Sequence, residues 1–192
     1  MRFMNPSCIM HGSRMLVNVR AVNYSLENSY KLLSSLEHAS RENPIRTKNY
    51  QYKLGGPSST NSVELSVEYD SWPSLICGVE DLRFVSQDWL IGTSCDATAR
   101  NVNTMCLVHV LDAGRAVLFI LESPFQNRCE KNWTPYPITC GILKVIYSFD
   151  PFIVLEYEFP PTQSPAPILR KSPMAFTHCV PEGSLKGVRG ST

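Results

Sequence analysis

The chain has 192 residues, enough for one domain with a real core. Hydrophobic residues make up 43% and charged residues 18%, a balance that excludes an intrinsically disordered polypeptide. The formal net charge of +1 supplies no global field to recruit nucleic acid or an anionic membrane surface. Fourteen prolines and an aromatic content of 10% suit a strand-and-turn protein better than a helical bundle.

Near the N-terminus, Asn5, His11, Ser13 and Arg14 interrupt any apolar run, so no signal peptide is read there. No stretch approaches the roughly 20 apolar residues of a membrane span. The expectation is a cytoplasmic protein with no membrane or nucleic-acid partner. Residues 15–20 end in strand-like alternation. Residues 24–39 carry helical spacing at Leu32, Leu33 and Leu36 and suit a short helix or a long excursion. Residues 50–54 alternate and stop at Gly55-Gly56. Residues 63–69 alternate throughout, which predicts a strand with one buried and one wet face. Strands follow at 82–85, 89–92, 105–111 and 116–121, with Asp112-Ala113-Gly114 as a hairpin turn between the last two. Two more are predicted at 141–147 and 152–157. Short strands with turn residues between them are the pattern of an antiparallel sandwich, barrel or propeller. From 159 to 173 the chain is rich in proline and reads as an extended connection, and residues 175–192 have weak periodicity.

The seven cysteines, at 8, 77, 95, 106, 129, 140 and 179, are odd in number, widely spaced and form no CxxC. They predict buried free thiols rather than a disulfide framework or a metal site. The four histidines are scattered, and His109 reads as a core residue inside an apolar strand. There is no GxSxG elbow, P-loop or HExxH. No metal or cofactor is expected.

Polar clusters fall at the ends of the predicted strands. Val79-Glu80-Asp81-Leu82-Arg83 places two acids and a guanidinium within four residues, directly before a strand pair. Such a group is expensive to bury unless paired, and serves as an acid catalyst or as a clamp on hydroxyls and anions. Its bland alternative is a solvated turn. Glu130-Lys131-Asn132-Trp133 combines an apolar ring with polar donors, the mixture that a sugar requires, or else it is a loop whose Trp plugs the core. Tyr147-Ser148-Phe149-Asp150-Pro151, Arg46-Thr47-Lys48-Asn49-Tyr50 and Asn18-Val19-Arg20 are each, taken alone, ordinary turn chemistry.

In order, these clusters resemble one family. Phe3-x-Asn5-Pro6-Ser7 followed by Leu16-Val17-Asn18-Val19-Arg20 and Asn23-Tyr24 looks like the opening of five-bladed β-propellers related to glycoside hydrolase family 130, the mannoside phosphorylases, a resemblance that implies an Asn-Pro turn at the start of the first blade. Arg46-Thr47-Lys48-Asn49 looks like the Arg-Thr-Arg-Asn segment of a subgroup often found beside glycosyltransferases. Glu80-Asp81-Leu82-Arg83 is similar to the Glu-Asp-Pro-Arg signature that opens the next blade, with Leu82 in place of the usual proline. Glu130-Lys131-Asn132-Trp133-x-Pro135 and Tyr147-Ser148-x-Asp150-Pro151 resemble the blade after it.

The resemblance implies an all-β fold, a partial five-bladed propeller of about three blades. Residues 1–158 would form the first blades, 159–174 a connection and 175–192 the start of an incomplete blade. Arg189-Gly190-Ser191-Thr192 looks like the start of an Arg-Gly-Gly-Ser motif of a later blade, so a fragment or a partner-completed domain is expected. Asp81 would be the general acid. Asn5, Arg20, Arg46, Glu80, Arg83, Lys131, Asn132, Trp133 and Asp150 would contact an oligosaccharide or glycoconjugate, with inorganic phosphate as co-substrate. The alternative is a non-catalytic glycan-binding or scaffold propeller beside a glycosyltransferase.

Overall fold

Every regular element among the described residues is a β-strand. The computed structural model describes residues 1–24, 39–55, 62–112, 114–123, 125, 129–136, 138–149, 152–159 and 171–172. The short helix or long excursion expected at 24–39, the proline-rich connection and the segment 175–192 lie almost wholly outside these residues.

The strands form three four-stranded antiparallel units in chain order. The first contains β1 (Arg2–His11), β2 (Arg14–Val22), β3 (Ile45–Leu54) and β4 (Ser62–Glu68). A short β5 (Ile76–Cys77) pairs parallel with the start of β3. The second unit contains β6 (Val79–Phe84), β7 (Trp89–Ser94), β8 (Thr104–Asp112) and β9 (Arg115–Ile120). The third contains β10 (Thr134–Pro135), β11 (Ile142–Phe149), β12 (Phe152–Glu158) and β13 (Lys171–Ser172). A parallel pairing of β4 with β9 joins the first two units into one nine-stranded sheet. Its two end strands, β1 and β6, come to lie side by side. The all-β class agrees with the sequence reading, and four-stranded antiparallel units in succession are what propeller blades require.

The second unit is a middle layer. One face of it, with Trp89, Ile91, Met105 and Leu107, packs on Leu143, Val145, Leu155 and Tyr157 of the third unit. Its other face, with Leu82, Leu90, Cys106 and Val108, packs on Leu65 of the first. All six residues of β7 are therefore buried, which explains why Trp89-Leu90-Ile91-Gly92 is an unbroken apolar run and not an alternation. At the surface, by contrast, β4 turns Leu65 inward and leaves Val63 exposed.

Three local expectations are corrected. Asn5-Pro6 is no turn before the first strand but lies inside β1. Glu80-Asp81 likewise lies inside β6 and not before it. The cysteines are free among the described residues, but only Cys106 is buried, and Cys8, Cys129 and Cys140 are exposed.

Of the two readings of Trp133, a sugar platform or a plug in the core, its burial fits the plug: it is 1% exposed. The ring packs against Tyr147 and Tyr157, and Nε1 donates to Glu130 Oε2 at 3.2 Å. A large apolar ring in a polar loop gains most by filling the gap between two sheets, and the buried carboxylate satisfies its N–H. Trp133→Ala is expected to cost about 3–5 kcal/mol in urea unfolding, whereas truncating an exposed platform would change stability by about 0.5 kcal/mol at most.

His109 on β8 stacks on Trp89, ring centroids 4.1 Å apart and 4° from parallel. Burial pushes its pKa down, and Asp88 opposes that only in part. The unfolded chain therefore takes up the proton first as pH falls. The contribution is fully present above the ordinary histidine value of about 6.5 and is lost on acidification towards the lower folded value. Urea midpoints followed from pH 8 to pH 5 should fall more steeply for the native chain than for His109→Phe.

Candidate functional site

Two β-bulges build the site. The β1–β2 register shifts between Met4 and Ser7, and the β6–β7 register shifts between Glu80 and Arg83. A bulge leaves a residue outside the ladder and re-aims its side chain. The residues so placed are Asn5 (φ 48°) and Asp81 (φ 53°), both left-handed. Asn and Asp tolerate this conformation better than other side-chain-bearing residues. Pro6 fits the first bulge because it has no N–H to give to a ladder. The bulges face each other: Asn5 Nδ2 donates to Asp81 Oδ1 at 2.6 Å, and the Phe84 N–H donates to Ser7 Oγ at 3.0 Å.

Arg20, on β2, reaches into this seam and is 5% exposed. Its Nη1 donates to Asp81 Oδ1 at 2.9 Å, and its Nη2 forms an ion pair with Glu80 Oε1. Nη2 also reaches Thr47 Oγ1 at 3.5 Å. Glu80 is as deeply buried as Arg20, and its second oxygen lies 3.4 Å from Lys131 Nζ. Beneath the charges runs a neutral layer. Asn18 Nδ2 donates to Asn49 Oδ1 at 3.2 Å, and Asn49 Nδ2 donates to the Val79 carbonyl at 2.8 Å.

Asp81, Arg83, Gly92, Thr93, Met105 and Asn132 border a shallow depression beside this cluster. Its enclosed part holds about one water molecule. Asn132 is also left-handed, with φ 62°. Three of the five left-handed non-glycine residues among the described ones, Asn5, Asp81 and Asn132, thus meet at one place. Conformational strain concentrated in this way is a mark of functional sites.

The structure therefore brings together Asn5, Arg20, Glu80, Asp81, Arg83, Lys131 and Asn132, drawn from the first two units and from the loop before β10. It does not bring in Arg46, which lies on the exposed face of β3 while Thr47 and Asn49 turn inward. Trp133 touches the depression only from within the core. Asp150 lies outside the described residues. Sequence reasoning passed over Thr47 and Asn49, although the two-residue period of a strand already places them opposite Arg46. It also gave no role of its own to Glu130, which is 6% exposed. The Glu130 carboxylate accepts from Ser123 Oγ at 2.6 Å as well as from Trp133, and so anchors the loop that carries Lys131 and Asn132. Among the described residues no group of three or more His, Cys, Asp or Glu side chains is placed to hold a metal ion, and no helix is long and apolar enough to cross a membrane.

One solved structure shares a similar course of chain. It comes from work on the GH130 family of mannoside phosphorylases, described as containing glycoside hydrolases that target beta-1,2 mannosidic linkages in Candida mannan. The TM-score is 0.44 and the identity 11%, over 88% of this chain and 51% of that one. This chain thus spans about half the length of the protein it matches. No family model and no curated protein matches the sequence.

Removing the Arg20 guanidinium would leave Glu80 buried without its main partner. Arg20→Met is expected to destabilise the fold by about 3–5 kcal/mol. Lys131, with a side chain 42% exposed, makes a screened contact, and Lys131→Ala should cost less than about 1 kcal/mol. Urea unfolding of the two variants measures the contrast.

Proposed function

We propose that this chain carries part of a glycan-processing site of the glycosidase or glycoside phosphorylase type, built on consecutive propeller blades. One observation carries the reading. Motifs spread from Asn5 to Asn132, which resemble a single family in their order, converge on one strained, charged depression. Ordinary turn chemistry gives no reason for them to meet.

In this reading Asp81 is the general acid. It passes its proton to the glycosidic oxygen as the bond to the anomeric carbon breaks. A phosphate oxygen attacks that carbon from the opposite face and yields a sugar 1-phosphate with inverted configuration. Arg83 and Lys131 supply positive charge for the phosphate, and Asn5 and Asn132 supply donors and acceptors for sugar hydroxyls. Glu80 is held by Arg20 and orients it against Asp81. The depression is too shallow to enclose a sugar ring alone, so further surface from additional blades or a partner such as a glycosyltransferase belongs to the proposal.

A second reading is favoured by one contact pattern. Asp81 Oδ1 already accepts from both Arg20 and Asn5, as suits a carboxylate that binds hydroxyls without transferring a proton. This is the non-catalytic, glycan-binding propeller.

The test incubates the chain with inorganic phosphate and a panel of short oligosaccharides and measures sugar 1-phosphate. Asp81→Asn should lower turnover by about 100-fold or more while oligosaccharide binding is kept. Unchanged turnover removes Asp81 as the acid. Binding without turnover in the native chain selects the second reading.

A further inference from the structure

We propose that Asp96 is a positioning residue for the Glu80–Asp81 pair, an inference that rests on reading those acids as the working groups. Asp96 lies two residues past the end of β7 and is 3% exposed. Its carboxylate is gripped by neutral donors. Oδ1 accepts from Ser94 Oγ at 2.6 Å and from the Tyr69 hydroxyl at 3.0 Å. Oδ2 accepts from the same hydroxyl at 3.1 Å and from the Gly78 N–H at 3.1 Å. The Asp96 carbonyl accepts from the Trp72 N–H at 2.8 Å. A buried carboxylate is expensive unless its hydrogen bonds are well made, so these donors are held in place as firmly as they hold it. Its charge also reaches its neighbours: after burial, Asp96 is the next cause that pushes up the Tyr69 phenol and the Cys77 and Cys106 thiols.

Asp96 binds both members of one strand pair. Ser94 is the last residue of β7, and Val79, the first of β6, is its register partner. Gly78 stands immediately before Val79. Its φ is +96°, and a Cβ there would lie 2.4 Å from the Thr47 carbonyl oxygen. Gly78 is thus pinned between the Asp96 carboxylate and the backbone of β3, whose Thr47 hydroxyl also receives Arg20. Two residues further on, Glu80 and Asp81 stand at the bulge. A one-residue slip of β6 against β7 would exchange the faces of the two acids. The Asp96 clamp fixes the point from which the bulge opens.

Asp96→Asn preserves size but replaces one acceptor with a donor facing either Ser94 and Tyr69 or Gly78. Tyr69→Phe removes one donor and leaves the Gly78 bond. Val145→Ala, in the separate core between the second and third units, serves as a control for stability loss alone. Two readouts on the full chain separate the roles: the carboxyl 13C signal of Asp81 with the guanidinium 15N signal of Arg20, and turnover on the oligosaccharide panel. Asp96→Asn is expected to move both signals and to lower kcat by about 10-fold or more, with KM within about 2-fold. Tyr69→Phe should give a smaller change of the same kind, and it carries the test if Asp96→Asn does not fold. Val145→Ala should leave signals and kcat unchanged at equal loss of thermal stability. Shifted signals with no turnover in any form would sink the catalytic reading but leave the clamp standing. Unmoved Asp81 and Arg20 signals in a folded variant would overturn the clamp itself.

Discussion

The arrangement of the first two units depends on one buried guanidinium. Arg20 sits at the seam where β1 and β6 meet and binds Glu80 and Asp81 together. An ion pair of this depth contributes little net stability, because desolvation offsets most of the attraction. What it imposes is geometry. Nη1 and Nη2 meet particular oxygens on β6 and β3, so β2, β3 and β6 have few ways to fit together other than this one. The interface between the second and third units is of another kind. Leu107, Leu143, Val145 and Leu155 only need to fill space, and such packing tolerates small displacements. The chain has thus placed its directional contacts where the charged residues gather and its non-directional ones elsewhere.

Local backbone features serve the same seam. Each bulge removes a residue from its ladder, and the residue removed is an Asn or an Asp able to accept the left-handed conformation. Close approach is then permitted by glycine: a Cβ on Gly92 would lie 2.7 Å from the Glu80 carbonyl oxygen. Bulges, glycines and buried carboxylates each weaken a sheet by themselves. Their concentration on either side of Asp81 indicates that β6 is shaped for the side chains it presents rather than for the strength of its pairing.

Much of this was legible in the sequence and some was not, for definable reasons. The second unit was readable because its strands are apolar and separated by turn residues. β1 escaped notice because Asn5 and Pro6 read as a turn, and only the neighbouring β2 shows that they form a bulge. Glu80-Asp81 was placed before a strand and not inside one for a similar reason, since two adjacent acids inside a strand make sense only when Arg20 arrives from 60 residues away. For Trp133 the sequence left a sugar platform and a core plug both open, because its polar neighbours imply a surface, whereas the cavity between two sheets is a property of the assembled layers. Arg46 could have been set aside from strand period alone.

The sequence by itself determined that the chain is built from strands, where most of them lie, and which polar residues are costly enough to need partners. Those properties follow from side-chain period, turn chemistry and the cost of burying charge, all of which are local. Only the tertiary structure decided which of the polar residues meet. Contacts such as Asn5 with Asp81, Arg20 with Glu80 and Asp96 with Gly78 join separate strands, and their register is set by bulges and by packing on both faces of the middle unit. No spacing within a single strand encodes that.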